Sequence, residues 1–212
     1  MKIFFMEVSE KENNKTNNLL KLVSEKRQET LRRYRFPIDR KLSLYAELLV
    51  RKQAMRLLGL NNDEIKFGTN EYCKPFIQGH TQFQFNISHT RNAIAVAFSS
   101  HEVGVDIERI NPPDYQISKQ FFTFFEHNYI LSHKNPNRAF YEIWTKKEAY
   151  TKCIGTGLTK PLKSFDVLNT EISTLMYMYE IGEYIISYCS NEPTTEEHSF
   201  IILTEDEILQ SD

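Results

Sequence analysis

Asp106 and Glu108 stand two residues apart in the run Val103-Gly104-Val105-Asp106-Ile107-Glu108, and Glu148 follows about forty residues later, in the run from Trp144 to Lys152. The first run reads as a strand, on which alternate side chains share a face. Val103, Val105 and Ile107 then face a core, and Asp106 and Glu108 face the opposite side. The second run reads as a helix. One carboxylate from it, Glu148, completes a three-oxygen set for a hard cation such as magnesium, which keeps its other positions for water and phosphate. Each feature also has a plainer reading. Acids are common on solvent-facing strand surfaces, and Glu148 and Lys152 have the spacing of an exposed helical ion pair. Trp144 is the largest core anchor of its helix. Two acids side by side on a strand repel each other, which favours a cation nearby.

Ser88 and His89 open a polar run to Asn92 that reads as a turn between two strands. A hydroxyl, an imidazole and turn amides can all donate to phosphate, although most such pairs in turns bind nothing. No hydrolase triad surrounds them. There is no Walker A loop and no GxGxxG, and Gly155-Thr156-Gly157 is too short to replace either. Lys26, Arg27, Arg32, Arg33, Arg35, Arg40 and Lys41 form a basic stretch. It reads either as a solvated helix face or as a grip on a polyanionic small ligand.

The elements that must carry these groups follow from periodicity. Met1 to Val8 reads as a first strand and Lys11 to Asn18 as a loop. Leu19 to Tyr34 reads as a charged helix. A long helix then runs from an N-cap at Asp39 to about Leu58, with Leu44, Tyr45, Leu48, Leu49, Met55 and Leu58 apolar and Gly59 as its stop. Phe83, Phe85 and Ile87 alternate with polar residues as a strand, and Ala93 to Phe98 is apolar enough for a buried one. Asn111 to Asp114 is a connection. Gln116 to His133 reads as one helix in which Phe121, Phe122, Phe124 and Phe125 are mostly core, with an apolar docking surface as the alternative. Asn135-Pro136 caps and opens a helix to about Ile154, stopped by Gly155. Ser164 to Leu168, Tyr184 to Cys189 and Ser199 to Leu203 are the closing strand candidates, with Asn191 to His198 joining the last two.

Composition limits the class of protein. The 212 residues suit one large domain or two small lobes. Hydrophobic residues make up 41% and aromatics 13%, enough for a substantial core. The 26 basic and 28 acidic residues leave a formal charge of −2, so a global basic field for nucleic acid is absent and only a local patch stays open. Cys73, Cys153 and Cys189 are odd in number and lack CxxC spacing, which argues against a disulfide framework or zinc site and suits a reducing cytoplasm. The first residues meet Glu7 too soon for a signal segment, and no apolar run has membrane-spanning length. A soluble, cytoplasmic protein is expected.

Taken together, the order and spacing of these motifs are specific where each alone is weak. The chain resembles the Sfp-type 4′-phosphopantetheinyl transferases over nearly its whole length. Glu71-Tyr72-Cys73-Lys74-Pro75-Phe76 resembles the family's lysine–proline segment, and Phe85-Asn86-Ile87-Ser88-His89 its FNxSH motif. Gly104 to Glu108 matches its G-(I/V)-D-(I/V)-E motif, and Phe121-Phe122 with Glu126 its FF…E segment. Trp144, Lys147, Glu148 and Lys152 match WxxKE…K, and Gly155-Thr156-Gly157-Leu158 matches GxGL.

The resemblance implies transfer of the phosphopantetheine arm of coenzyme A to a serine of an apo acyl or peptidyl carrier protein, with release of adenosine 3′,5′-bisphosphate. It implies magnesium on Asp106, Glu108 and Glu148, and coenzyme A contacts from Lys74, Ser88, His89 and Lys152. Lys152 would add a second cation at the diphosphate. Glu148 is the first candidate to accept the serine proton and Glu126 the second. The family's D-x-x-R-(S/T)-L pattern meets Leu42 where arginine is usual. Arg40 or Lys41 would have to substitute, with Arg32, Arg33 and Arg35 as possible compensators. The implied fold is α+β, two similar lobes forming a pseudo-dimer in one chain, 1–102 and 103–212, with the active site in the cleft between them. A monomer follows. Two other classes stay open: a catalytically silent module that binds coenzyme A or a carrier, and a magnesium-dependent nucleotide diphosphate hydrolase.

Overall fold

The computed structural model describes residues 1–11, 14–191 and 198–209. Strand β1 (Lys2–Glu7) is followed by helix α1 (Asn14–Leu19), a single 3-10 turn, α2 (Glu25–Arg32) and the long α3 (Pro37–Leu58). Short strands β2 (Phe67–Thr69) and β3 (Pro75–Ile77) form a ribbon, and β4 (Gln84–Thr90), β5 (Ala93–Ser99) and β6 (Val103–Arg109) come next. Helices α4 (Tyr115–Phe121), α5 (Phe124–Ser132), α6 (Pro136–Ile154) and α7 (Thr170–Ser173) precede β7 (Met176–Ile181) and β8 (Tyr184–Ser190). Strand β9 (Ser199–Leu203) and helix α8 (Glu205–Leu209) follow. The fold is mixed α+β.

Two sheets carry the architecture, one in the order β4-β5-β1-β9 and one in the order β6-β8-β7. The first is antiparallel except that β9 joins β1 in parallel. Alternation sends its side chains into two different cores. Phe4, Met6, Ile94, Val96 and Phe98 pack with Leu42, Tyr45, Leu48 and Leu49 of α3. Ile3, Phe5 and the three alanines Ala93, Ala95 and Ala97 pack instead against Val103, Val105, Ile107, Ile186 and Tyr188 of the second sheet. Strand β5 is therefore covered on both faces, which is why its sequence is apolar without alternation. Its alanines are small, so the second sheet can approach closely.

The other face of β6 lies under α6. Gly104 makes this possible, because a Cβ there would collide with the backbone of Ala149 and Cys153. The face opposite Val103, Val105 and Ile107 thus meets a helix rather than solvent, and Asp106 is only 4% exposed. Helix α6 runs as the sequence predicts, from an Asn135 N-cap to Gly155 at φ 69°.

Several boundaries differ from expectation. Asn14–Leu19 is helical rather than a loop, and the expected helix over Leu19 to Tyr34 is broken at Ser24, which caps α2. Helix α3 begins at Pro37, two residues before Asp39, because proline suits a first helical position; Met55 is exposed. Ser88 and His89 belong to β4, and the turn is confined to Arg91 and Asn92. The single helix expected from Gln116 to His133 splits at Phe122, where Thr123 and Glu126 form a capping box that starts α5. Ser164 to Leu168 forms no strand; its Phe165 and Val167 fill the core beneath α6. Strand β7, whose apolar positions are only half buried, was not expected. Most of the connection from Asn191 to His198 lies outside the described residues.

Candidate active site

Strands β4 and β6 lie side by side but belong to separate sheets. Side chains replace the missing backbone ladder. Asn86, Ser88 and Thr90 share one face of β4. Asn86 Oδ1 accepts from Val105 N at 2.9 Å. Ser88 Oγ accepts from Ile107 N at 3.4 Å and donates to Asp106 Oδ1 at 2.8 Å. Thr90 Oγ1 donates to Glu108 Oε2 at 3.2 Å. Lys152 enters from α6, its Nζ donating to Asp106 Oδ1 at 2.6 Å, Ser88 Oγ at 3.0 Å and the Val105 carbonyl at 3.1 Å. Its ion-pair partner is thus Asp106 rather than Glu148, its neighbour at i−4.

The electrostatics are those of crowded carboxylates. Burial pushes the Asp106 carboxyl above its ordinary value, against the pull of Lys152 and Ser88. Burial and the charges of Asp106 and Glu148 push Glu108 up to about 7 despite the Thr90 hydrogen bond. Burial and Asp106 raise Glu148 as well. Asp106 Oδ2 is buried with no hydrogen-bond partner. Among the described residues no set of three His, Cys, Asp or Glu side chains converges on one point for a metal ion. The three-oxygen set expected from sequence is therefore not closed, and the Lys152 ammonium rests on Asp106 Oδ1. The donor chemistry nevertheless fits a hard divalent cation: all-oxygen ligands, one orphaned buried oxygen, and three carboxyls each destabilised in ionised form.

Other expected residues are placed elsewhere. Lys74 is next to the end of α6, with its Nζ on Glu102 at 2.6 Å and on the Cys153 carbonyl at 3.3 Å. Its loop is folded by Asn70 Oδ1, which accepts from the amides of Tyr72 and Lys74. His89 points to the opposite face of β4 from Ser88, as strand alternation requires. It lines a cavity of about 1060 Å³ together with Lys26, Arg27, Lys66, Phe85 and Ile87. Surrounding protein and the Lys152 charge lower its pKa, while Asp39 and Asp106 act the other way. The basic stretch thus contributes Lys26 and Arg27 to this cavity, with Arg27 aimed by Glu47 at 2.6 Å. Arg40 is half buried in the first turn of α3, beside Asp39. Lys41 cannot substitute for an arginine at Leu42, because its ammonium is spent on Ser9 O and Glu205. Leu42 itself is core, 1% exposed.

Glu126 is not part of the cluster. It is fully buried and both oxygens are engaged, by the amides of Thr123 and Val167 and by Lys147 Nζ at 2.8 Å. A carboxylate so enclosed cannot receive a substrate proton. Lys147 is also held by the carbonyls of Leu162 and Phe165 at 2.7 Å each. The phenylalanine cluster also departs from expectation. Only Phe122 is core, whereas Phe124 and Phe125 are each 72% exposed and Phe121 is 46% exposed. The helix break is the cause, since the first two positions of α5 project outward. Asn86 and Thr90 were missed as site residues, although their period-two spacing with Ser88 was the available signal.

Two family models cover this arrangement: the N-terminal model of 4′-phosphopantetheinyl transferases over residues 10–101, and the 4′-phosphopantetheinyl transferase superfamily model over residues 102–201. The 4′-phosphopantetheinyl transferase gsp of Aneurinibacillus migulanus is 37% identical over 174 residues, covering 81% of this chain and 73% of that protein. The 4′-phosphopantetheinyl transferase Sfp of Bacillus subtilis (strain 168) is 34% identical over 162 residues, 76% of this chain and 71% of that one. The chain belongs to the 4′-phosphopantetheinyl transferase superfamily, in its Sfp-type branch.

Proposed function

We propose that this protein transfers the 4′-phosphopantetheine group of coenzyme A to a serine hydroxyl of an apo carrier protein. The observation that carries the reading is the junction of Ser88, Asp106 and Lys152 within 2.6–3.0 Å, drawn from segments matched by both family models. Coenzyme A would enter the cavity beside β4. Lys26, Arg27, Lys66 and His89 offer cationic or hydrogen-bonding partners for its phosphates, and Phe85 and Ile87 an apolar wall. Arg40, next to Asp39 at the end of α3 nearest His89, is a further cation for the 3′-phosphate. Lys74, whose ammonium is held by Glu102 and the Cys153 carbonyl, and Ser88, which is bonded to Asp106, are further candidate contacts for coenzyme A.

Asp106, Glu108 and Glu148 would hold a magnesium ion, whose charge, when bound, stabilises the diphosphate as it is cleaved. Lys152 supplies a second positive charge at the same place. The carrier serine oxygen attacks the phosphorus that bears the pantetheine arm. The bond to the adenosine-side phosphate breaks, and adenosine 3′,5′-bisphosphate leaves. Glu148, half-buried and with a raised pKa, accepts the serine proton. Phe121, Phe124 and Phe125 form an exposed aromatic surface for the carrier.

We further propose two similar lobes dividing at 102/103, with the site in the cleft between them. One topological exception is that β9 pairs with the strand that opens the chain. A cytoplasmic monomer that binds neither nucleic acid nor membrane is consistent with this reading, because both lobes lie in one chain. Among the described residues no helix is long and apolar enough to cross a membrane.

Intact-mass spectrometry of an apo carrier after incubation with this protein, coenzyme A and magnesium tests the reading. One phosphopantetheine should be added, and chelator or Asp106→Ala should abolish the gain. Carrier binding without mass gain would support a silent module instead. Coenzyme A breakdown without a carrier would support a hydrolase.

A further inference from the structure

The side-chain ladder between β4 and β6 ends at Thr90, which has no role in the proposed reaction. Thr90 is the last residue of β4 and pairs with Ala93 across the two-residue turn of Arg91 and Asn92. Its backbone is therefore held by a hairpin, and its β-branched side chain has few rotamers. Glu108 is the opposite case, a long side chain near the end of β6. Its neighbour Arg109 is drawn away to Glu183 at 2.5 Å. Among the described residues, Thr90 is the only side chain that donates a hydrogen bond to Glu108, at Oε2.

We infer that Thr90 is a positioning residue, whose hydroxyl holds Glu108 in the orientation needed to ligate the divalent cation. The bond engages Oε2 and leaves Oε1 to the ligand. The register supports this assignment. Asn86 meets Val105, Ser88 meets Asp106, and Thr90 meets Glu108, so a single strand aims both acids of β6. Because His89 between them faces the cavity, the same strand lines the proposed coenzyme A site on one side and sets the carboxylates on the other.

The inference rests on the reading that Glu108 is a metal ligand, so the test carries its own benchmark. Mn²⁺ binding to the full chain is measured by the electron paramagnetic resonance of free Mn²⁺, without coenzyme A or carrier. Circular dichroism verifies folding. Glu108→Gln should bind Mn²⁺ far more weakly than the unsubstituted protein. Thr90→Val, which keeps shape but loses the hydroxyl, should weaken Mn²⁺ by ~10-fold, as the loss of an outer partner of a ligand typically does. Thr90→Ser should restore the affinity. Thr90→Ala replaces Thr90→Val if the valine does not fold. Unchanged Mn²⁺ affinity in the variant lacking the hydroxyl, with Glu108→Gln impaired, would overturn the inference while leaving the metal reading intact. Equal losses in Thr90→Ser and Thr90→Val would overturn it too, since the hydroxyl would then be irrelevant. Normal Mn²⁺ affinity in Glu108→Gln would sink the metal reading and the inference with it.

Discussion

At the residue scale the central fact is that Lys152 and three carboxylates share a poorly solvated place. Lys152 sits on Asp106 Oδ1 at 2.6 Å, so protein charge alone partly neutralises the cluster. Glu108 is pushed up to about 7 by burial and its acidic neighbours, and that has a consequence for stability. A carboxyl whose folded pKa lies above its unfolded value favours folding fully below the unfolded value, and this contribution is lost as pH rises through the folded one. For Glu108 the window runs from 4.5 to about 7. In the presence of chelator the melting temperature should therefore fall across that range, and Glu108→Gln should flatten the slope. Magnesium should raise the melting temperature more at pH 8 than at pH 5.5, because protons compete with it at the lower pH. Thermal melts followed by circular dichroism decide the matter. A melting temperature that rises between pH 5 and 7 in chelator, with Glu108→Gln abolishing the rise, would contradict the picture. That Asp106 shares a strand face with Glu108 was legible from period-two spacing alone. Thr90 was not, because hydroxyls on strands are ordinary until their neighbour is known.

At the element scale, function depends on how α6 lies on β6. Gly104 is the contact point, and Gly104→Ala should destabilise the fold by ~3 kcal/mol, at the upper end for overpacking, because backbone rather than a flexible side chain is in the way. Urea titration measures this. The second face of α6 is pinned by Lys147 and Glu126, an enclosed pair that joins α6, the start of α5 and the loop at Phe165. Removing one partner leaves a buried charge, so Lys147→Met should cost about 3–5 kcal/mol, and Lys147→Met with Glu126→Leu less than that. A double variant no more stable than the single one would show that the loss comes from packing. Phe124 and Phe125 behave differently. Both are largely exposed, so Phe124→Ser with Phe125→Ser should alter stability by less than ~1 kcal/mol. The same variant should raise the KM for carrier while leaving that for coenzyme A unchanged. The helices were legible where caps are strong, as at Asn135 and Gly155. They were misread at Phe122, where a capping box inside an aromatic run starts a new helix and turns two phenylalanines outward.

At the scale of the whole molecule, the two sheets are held together by an alanine face, a side-chain ladder and a returning strand. Strand β9 pairs with β1, and Glu205 just beyond it binds Lys41, which also grips the carbonyl of Ser9. The chain's first and last described segments therefore close one layer. Truncation before Ser199 should uncover β1 and release Lys41 and should abolish cooperative unfolding and transfer together. Retention of a sharp urea transition would show that the closure is dispensable. Pairing of a last strand with a first one cannot be read from local pattern, since it depends on contacts nearly two hundred residues apart.

The sequence by itself determined the chemistry available to this protein. Period-two spacing put Asp106 and Glu108 on one face, helical caps bounded the segment that carries Glu148 and Lys152, and motif order pointed to the family. These are local properties, set by strand and helix geometry. Only the tertiary structure decided that the acidic face is covered by α6, that Lys152 pairs with Asp106, that Glu126 is sealed in a separate ion pair, and that Ser88 and His89 face different sites. Each of these depends on which element packs on which. That choice is made by burial of whole faces rather than by any short run of residues.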